Sequence, residues 1–320
     1  MGPVTRKRKL EEEKLSSNVA AAEEPSKRSK SHEAIEFVDT KNRESNIDAF
    51  EIKNGDKSIV CKKYLTRTKE TKDKEHFATP SLVFTHGAGG GIETPAIAEF
   101  AEGFASIDTA LCFQGTMNLK SRVKSFHAVI ENQDWGLALG GRSMGARAAV
   151  MTANEYGKTE ALVLVSYPLV SEKGDVRDEI LLEISKNIEV LFVIGDGDKM
   201  CPLDRLNEVR EKMKATSWLM VVKGADHGMS VKPKSATEHF VRETGKVAAQ
   251  WLKRKDSKKL EAAICWNDEA GEAAMTAWHG DNSTPDSIPK STSKRASGED
   301  TEEEEKETKV QSPRKRKKRA

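Results

Sequence analysis

The sequence predicts an α/β domain, a mostly parallel sheet with helices on both faces, set between polar tails. Short β-rich runs alternate with helical patterns from about residue 58 to 253. Those runs are apolar on nearly every residue, as strands are when both faces of a sheet are covered. Strands separated by helices at this interval form right-handed βαβ units. Composition then marks the limits. Charged residues make up 32% of the 320 and aromatics 6%, and the ends hold few large apolar side chains. Such ends cannot bury enough surface to offset the entropy of ordering them. The expected organisation is a disordered tail over 1–47, the domain over 48–255, and a mostly disordered tail over 256–320.

In order, residues 58–65 (SIVCKKYL) read as an early strand, and 66–78 as a charged connection ending at Thr79-Pro80. Residues 81–86 (SLVFTH) are a strand running into Gly87-Ala88-Gly89-Gly90-Gly91. Thr94-Pro95 opens a helix, with proline in the first turn where its missing N–H does no harm, and Ile97, Phe100, Ala101 and Phe104 form its apolar stripe. A strand over 109–113 and a helix over 122–130 follow, then a strand over 135–140 and a small-residue helix over 146–156. Strands over 161–166, 190–194 and 217–222 alternate with helices over 178–185, 203–213 and 236–253. No solenoid-type repeat is present.

The net charge of +2 is a small difference between 53 basic and 51 acidic residues, so the body is not expected to be a nucleic-acid surface. Cys61, Cys112, Cys201 and Cys265 form no CxxC pair and have no metal-ligand spacing. A reducing compartment is the simplest reading, and neither a metal nor a cofactor is expected. No apolar run is long enough to span a bilayer, and no signal-type core follows the basic N-terminus. A soluble, intracellular protein is expected.

The chemistry concentrates at strand ends. Gly141-Arg142-Ser143-Met144-Gly145 fits the G-x-S-x-G pattern, in which a nucleophile sits on a strained strand-to-helix turn and the glycines let strand and helix pass closely. An apolar strand precedes it and an alanine-rich helix follows. A serine nucleophile needs a base, and the base an orienting carboxylate. The strand over 190–194 ends in Gly195-Asp196-Gly197-Asp198, and the next ends in Lys223-Gly224-Ala225-Asp226-His227-Gly228. Acid and histidine thus follow the serine in the order serine, acid, histidine. Asp198, three residues after Gly195 and four before Pro202, is the preferred acid; Asp196 and Asp226 read as turn formers. Two N–H donors must hold an oxyanion: Met144, just after the serine, and Ala88 in the His86-Gly87-Ala88-Gly89 loop, with Gly87 as the alternative. His86 reads as structural.

Together, GGRSMGARAA, THGAGG, SYPL, GDGDKMCP and KGADHGM resemble one branch of the α/β-hydrolase superfamily. That branch includes a testis-expressed protein and subunit three of the nuclear non-specific-lethal (NSL) complex, and more distantly dienelactone hydrolase. The resemblance covers about 81–253. It implies an α/β-hydrolase fold with Ser143, Asp198 and His227 as catalytic triad. Dienelactone hydrolases carry cysteine where Ser143 stands, so their substrate is not implied. Residues 166–190 leave too little chain for a lipase-type lid, so the site is expected to be open to small or extended acyl compounds: esters, thioesters or peptides. The same resemblance carries an alternative, a catalytically silent module binding protein partners in a nuclear complex.

The tails hold basic clusters, Arg6-Lys7-Arg8-Lys9, Lys27-Arg28-Ser29-Lys30 and, after Pro313, residues 314–319 (RKRKKR). These read as nuclear-import signals. No aromatics interleave with them to stack bases, so direct nucleic-acid binding is not expected. Residues 260–278, with Ile264, Trp266, Met275 and Trp278, are expected to pack back on the domain; the alternative is a short partner-binding element.

Overall fold

The computed structural model describes residues 47–66 and 79–280, except 137 and 172. The described residues form one ten-stranded sheet in the order β1-β2-β4-β3-β5-β6-β7-β8-β9-β10. Its strands are β1 (Ile47–Asn54), β2 (Lys57–Tyr64), β3 (Leu82–Thr85), β4 (Ala110–Phe113), β5 (Ala138–Arg142), β6 (Ala161–Val165), β7 (Glu189–Gly195), β8 (Ser217–Val222), β9 (Glu261–Asn267) and β10 (Glu272–Met275). The run from β4 through β9 is parallel. At one end β2 pairs antiparallel with β4 and with β1, and at the other β10 pairs antiparallel with β9.

Helices α1 (Pro95–Ala105) and α6 (Thr237–Lys253) cover one face; α2 (Leu119–Asn132), α3 (Met144–Glu155), the single turn α4 (Glu179–Leu182) and α5 (Leu203–Lys212) cover the other. Successive strand residues feed opposite cores. Val83 joins the α2–α5 side, while Leu82 and Phe84 join the α1–α6 side, as the period of two along a strand requires. The central strands β3 to β6 are therefore buried at every position but Arg142. Helices α1 and α6 cross with backbones in contact: a Cβ on Gly103 would lie 1.9 Å from the Arg242 carbonyl oxygen, and one on Gly245 1.9 Å from that of Phe100.

Most predicted elements are present with shifted ends. Helix α3 begins two residues early, and the helix expected over 178–185 shrinks to α4. Among the described residues between β6 and β7 stand only α4 and one antiparallel bridge, Val170 to Val176, too little to form a lid there. Two corrections concern the sheet edges. Strand β1 was not anticipated. The domain also runs past Lys255: β9 pairs with β8, placing Ile264 in the core, and Trp266 stacks on Phe240 with centroids 6.1 Å apart. Residues 256–280 are thus the edge of the fold and not the start of a tail. The two tails proper with their basic clusters, and most of the charged connection over 66–78, lie outside the described residues. No described helix is long and apolar enough to cross a membrane.

Candidate active site

Strand β5 leads directly into Ser143, whose backbone turns to φ 53° and ψ −115° before α3 starts. A non-glycine residue there costs of order 1–3 kcal/mol. The turn is held on both sides: the Ser143 N–H donates to Val165 O at 2.9 Å, and the Arg147 N–H to Ser143 O at 3.3 Å. Its glycines are obligatory through close approach. A Cβ on Gly141 would come within 2.4 Å of the Gly145 carbonyl carbon, and one on Gly145 within 2.6 Å of both the Thr85 and His86 oxygens. Any larger residue would push β5, α3 and the loop after β3 apart. Met144 opens α3, so its N–H is one of the first-turn donors with no intrahelical acceptor.

His227 and Asp198 meet this serine. Ser143 Oγ lies 2.9 Å from His227 Nε2, and His227 Nδ1 lies 2.9 and 3.1 Å from the two Asp198 oxygens. Asp198 is buried and also accepts the Met200 N–H at 2.8 Å, which fixes its plane. The acid and histidine loops run backbone to backbone, with the Gly197 N–H donating to Ala225 O at 2.9 Å; a Cβ on Gly195 would lie 2.2 Å from that same oxygen. Asp226 builds the turn after the histidine by accepting the Gly228 and Ser230 N–H groups at 2.8 and 2.9 Å. Asp196 accepts the Gly224 N–H at 2.7 Å. Neither carboxylate competes for His227.

The loop after β3 presses on the serine. A Cβ on Gly87 would lie 3.4 Å from Ser143 Cβ, whereas Ala88 beyond it is exposed. His86 is buried beneath this loop. Its Nε2 accepts the Gly115 N–H at 3.0 Å, which leaves Nδ1 to donate to Gly87 O at 2.7 Å. Burial, and then the Arg122 charge, hold its pKa below the usual histidine value. It is a neutral strut.

Sequence reasoning missed two arginines that organise the site. Arg122 is fully buried and donates to the carbonyls of His86, Gly87 (3.0 Å) and Thr116 (2.9 Å from Nε). Burial brings its pKa down to about 10. The signal was present: Arg122 lies four and seven residues before Phe126 and Val129, on the apolar stripe of α2, where an unpaired charge has no ordinary reason to be. Arg142, a free position in the elbow pattern, donates to His227 O at 2.7 Å and lies against Gly87. It ties the histidine loop to the loop after β3. Cys201, close to Asp198, offers no rival nucleophile: burial, reinforced by Asp198, pushes its thiol up to about 12. Among the described residues no group of three or more candidate ligands could hold a metal ion.

Residues 116–253 match a family described as "Alpha/beta hydrolase domain". Among solved structures, dienelactone hydrolase from Anabaena variabilis is 16% identical, with a TM-score of 0.51 over 65% of this chain and 97% of its own. Est1E from Butyrivibrio proteoclasticus is 17% identical, with a TM-score of 0.49 over 64% and 98%. A serine hydrolase homologue from Coxiella burnetii is 16% identical, with a TM-score of 0.48 over 63% and 96%. Sheet order, helical layers, the family match over 116–253 and the likeness to the Anabaena enzyme agree: the described domain has the α/β-hydrolase fold.

Proposed function

We propose that the protein is a serine hydrolase acting on an acyl compound, an ester, thioester or peptide. The observation that carries this is the unbroken run of contacts from Ser143 Oγ through the His227 ring to a buried Asp198. In this reading Ser143 Oγ attacks the acyl carbon while its proton passes to His227 Nε2. Asp198 accepts from Nδ1–H, fixing the tautomer and stabilising the imidazolium. The N–H groups of Met144 and Ala88 receive the oxyanion. His227 then protonates the leaving atom, and water, activated by the same imidazole, frees the acid and restores Ser143. The absence of a lid between β6 and β7 suits small or extended substrates.

A fluorophosphonate probe tests the reading. Labelling of the wild type that disappears in Ser143→Ala is expected. A folded wild type that stays unlabelled would leave the domain as an interaction module, the role that the resemblance to the NSL subunit offers.

A further inference from the structure

A cavity of about 260 Å³ lies at the end of the sheet opposite Ser143. Its walls include Trp218, Trp251 and Trp278, three of the chain's five tryptophans, together with Arg254, Asp256 and Lys259. Trp218 is the second residue of β8, Trp251 stands in the last turn of α6, and Trp278 follows β10. Strand β8 runs toward the histidine loop, so its first residues belong to the opposite edge of the sheet; about 13 Å of strand separates Trp218 from Val222. The two inner rings, each 1% exposed, meet edge to face with centroids 5.5 Å apart and planes at 68°. Trp278 is only half-buried. Aromatic rings thus form a corner with open space beside it.

The polar groups around these rings are out of balance. Lys253 and Lys255 nearby are paired with Asp108 and Glu189, but the side chains of Arg254 and Lys259 make no ion pair or hydrogen bond among the described residues. The one carboxylate in the wall, that of Asp256, already accepts the Lys258 N–H at 2.9 Å. The Trp218 indole N–H donates to the Asp256 carbonyl at 3.2 Å, whereas that of Trp251 is buried without an acceptor. Unmet donors and cations outnumber acceptors. We infer that this cavity binds a planar aromatic carboxylate, its ring against the tryptophans and its carboxylate toward Arg254 and Lys259. Aromatic rings favour edge-to-face and offset contacts with one another, and a guanidinium pairs with a carboxylate through two parallel hydrogen bonds. An apolar cavity of about 150 Å³ holds benzene, so one of about 260 Å³ has room for a ring and its carboxylate. The site lies away from the triad and does not depend on the hydrolase reading.

The test is a ligand-detected NMR titration of the full chain with 2-naphthoate, its uncharged counterpart 2-naphthylmethanol, and cyclohexanecarboxylate, which keeps the charge and lacks the aromatic ring. Naphthoate should bind with a Kd of about 1 mM or tighter, the affinity expected of a fragment of that size, and both other compounds more weakly. Replacing the two cations together, Arg254→Gln with Lys259→Gln, should weaken naphthoate by about tenfold or more while leaving the alcohol unchanged. Trp278→Ala should weaken both naphthyl compounds. If its melting temperature shows that this substitution loosens the sheet edge, Ala277→Glu serves instead: it sets a carboxylate in the wall at an exposed position and should repel naphthoate alone. The site is overturned if naphthoate does not bind, if the alcohol binds as tightly, or if naphthoate keeps its affinity in the charge-neutralised variant and in Ala277→Glu.

Discussion

Asp198 and Asp196 stand two residues apart on one loop, yet only Asp198 reaches the imidazole. Asp198→Asn is expected to favour the wrong tautomer and reduce kcat by roughly 10³–10⁴-fold. Asp196→Asn, which loses only a turn contact, should stay within about tenfold of wild type. Steady-state rates on any ester whose turnover fluorophosphonate labelling of Ser143 abolishes will decide, and a larger loss from Asp196→Asn would reverse the assignment. His86 gives a second residue-scale prediction. Its folded pKa lies below the unfolded value of 6.5, so the unfolded chain binds the proton first. The stability this provides is complete above pH 6.5 and is lost as pH falls through the folded value. Melting temperature should drop from pH 7 to pH 5 more steeply in the wild type than in His86→Asn. Serine, acid and histidine were legible in the sequence because each follows an apolar strand, and the fold reads its chemistry at strand ends. Arg142 was not, and Arg122 showed itself only as a charge on the apolar stripe of α2. Their partners are backbone carbonyls, which leave no complementary residue to find.

Strand β9 shows how an element escapes sequence reading. Its residues Glu261, Ala262, Ala263, Ile264, Cys265 and Trp266 are neither apolar throughout nor cleanly alternating, because one flank pairs with the parallel sheet and the other with the short β10. The central strands were legible because they are covered on both faces; β9, next to the edge, and the edge strands β1 and β10 carry more exposed residues. A chain ending at Lys255 should therefore aggregate. It would bare the edge of β8 and strip Ala262 and Ile264 from the core, whereas a chain ending at Gly280 should remain monodisperse; size-exclusion chromatography distinguishes the two. Helix α6 gives the second prediction at this scale. At an ordinary helical position Gly→Ala gains about 1 kcal/mol, but at Gly245 the new methyl would meet the Phe100 oxygen at 1.9 Å. Overpacking against backbone outweighs propensity, and Gly245→Ala should destabilise by about 3 kcal/mol in denaturant titration.

Across the whole molecule, chemistry and address are expected to be separate. The densest basic run, residues 314–319, follows Pro313, which disfavours helix in the residue before it. Nuclear residence is expected to depend mainly on this run, with 6–9 and 27–30 as a two-part supplement. Fluorescent fusions lacking either tail, then both, measure this; a double deletion as nuclear as the full chain would reduce the clusters to solvation. The glycine crossing of α1 and α6 reaches further than stability. Because the two backbones touch at Gly103 and Gly245, the helices behave as a pair of shears riveted at the pivot. The two glycines thus fix how closely α1 and α6 lie over their face of the sheet, and a side chain at either one would drive the two main chains apart.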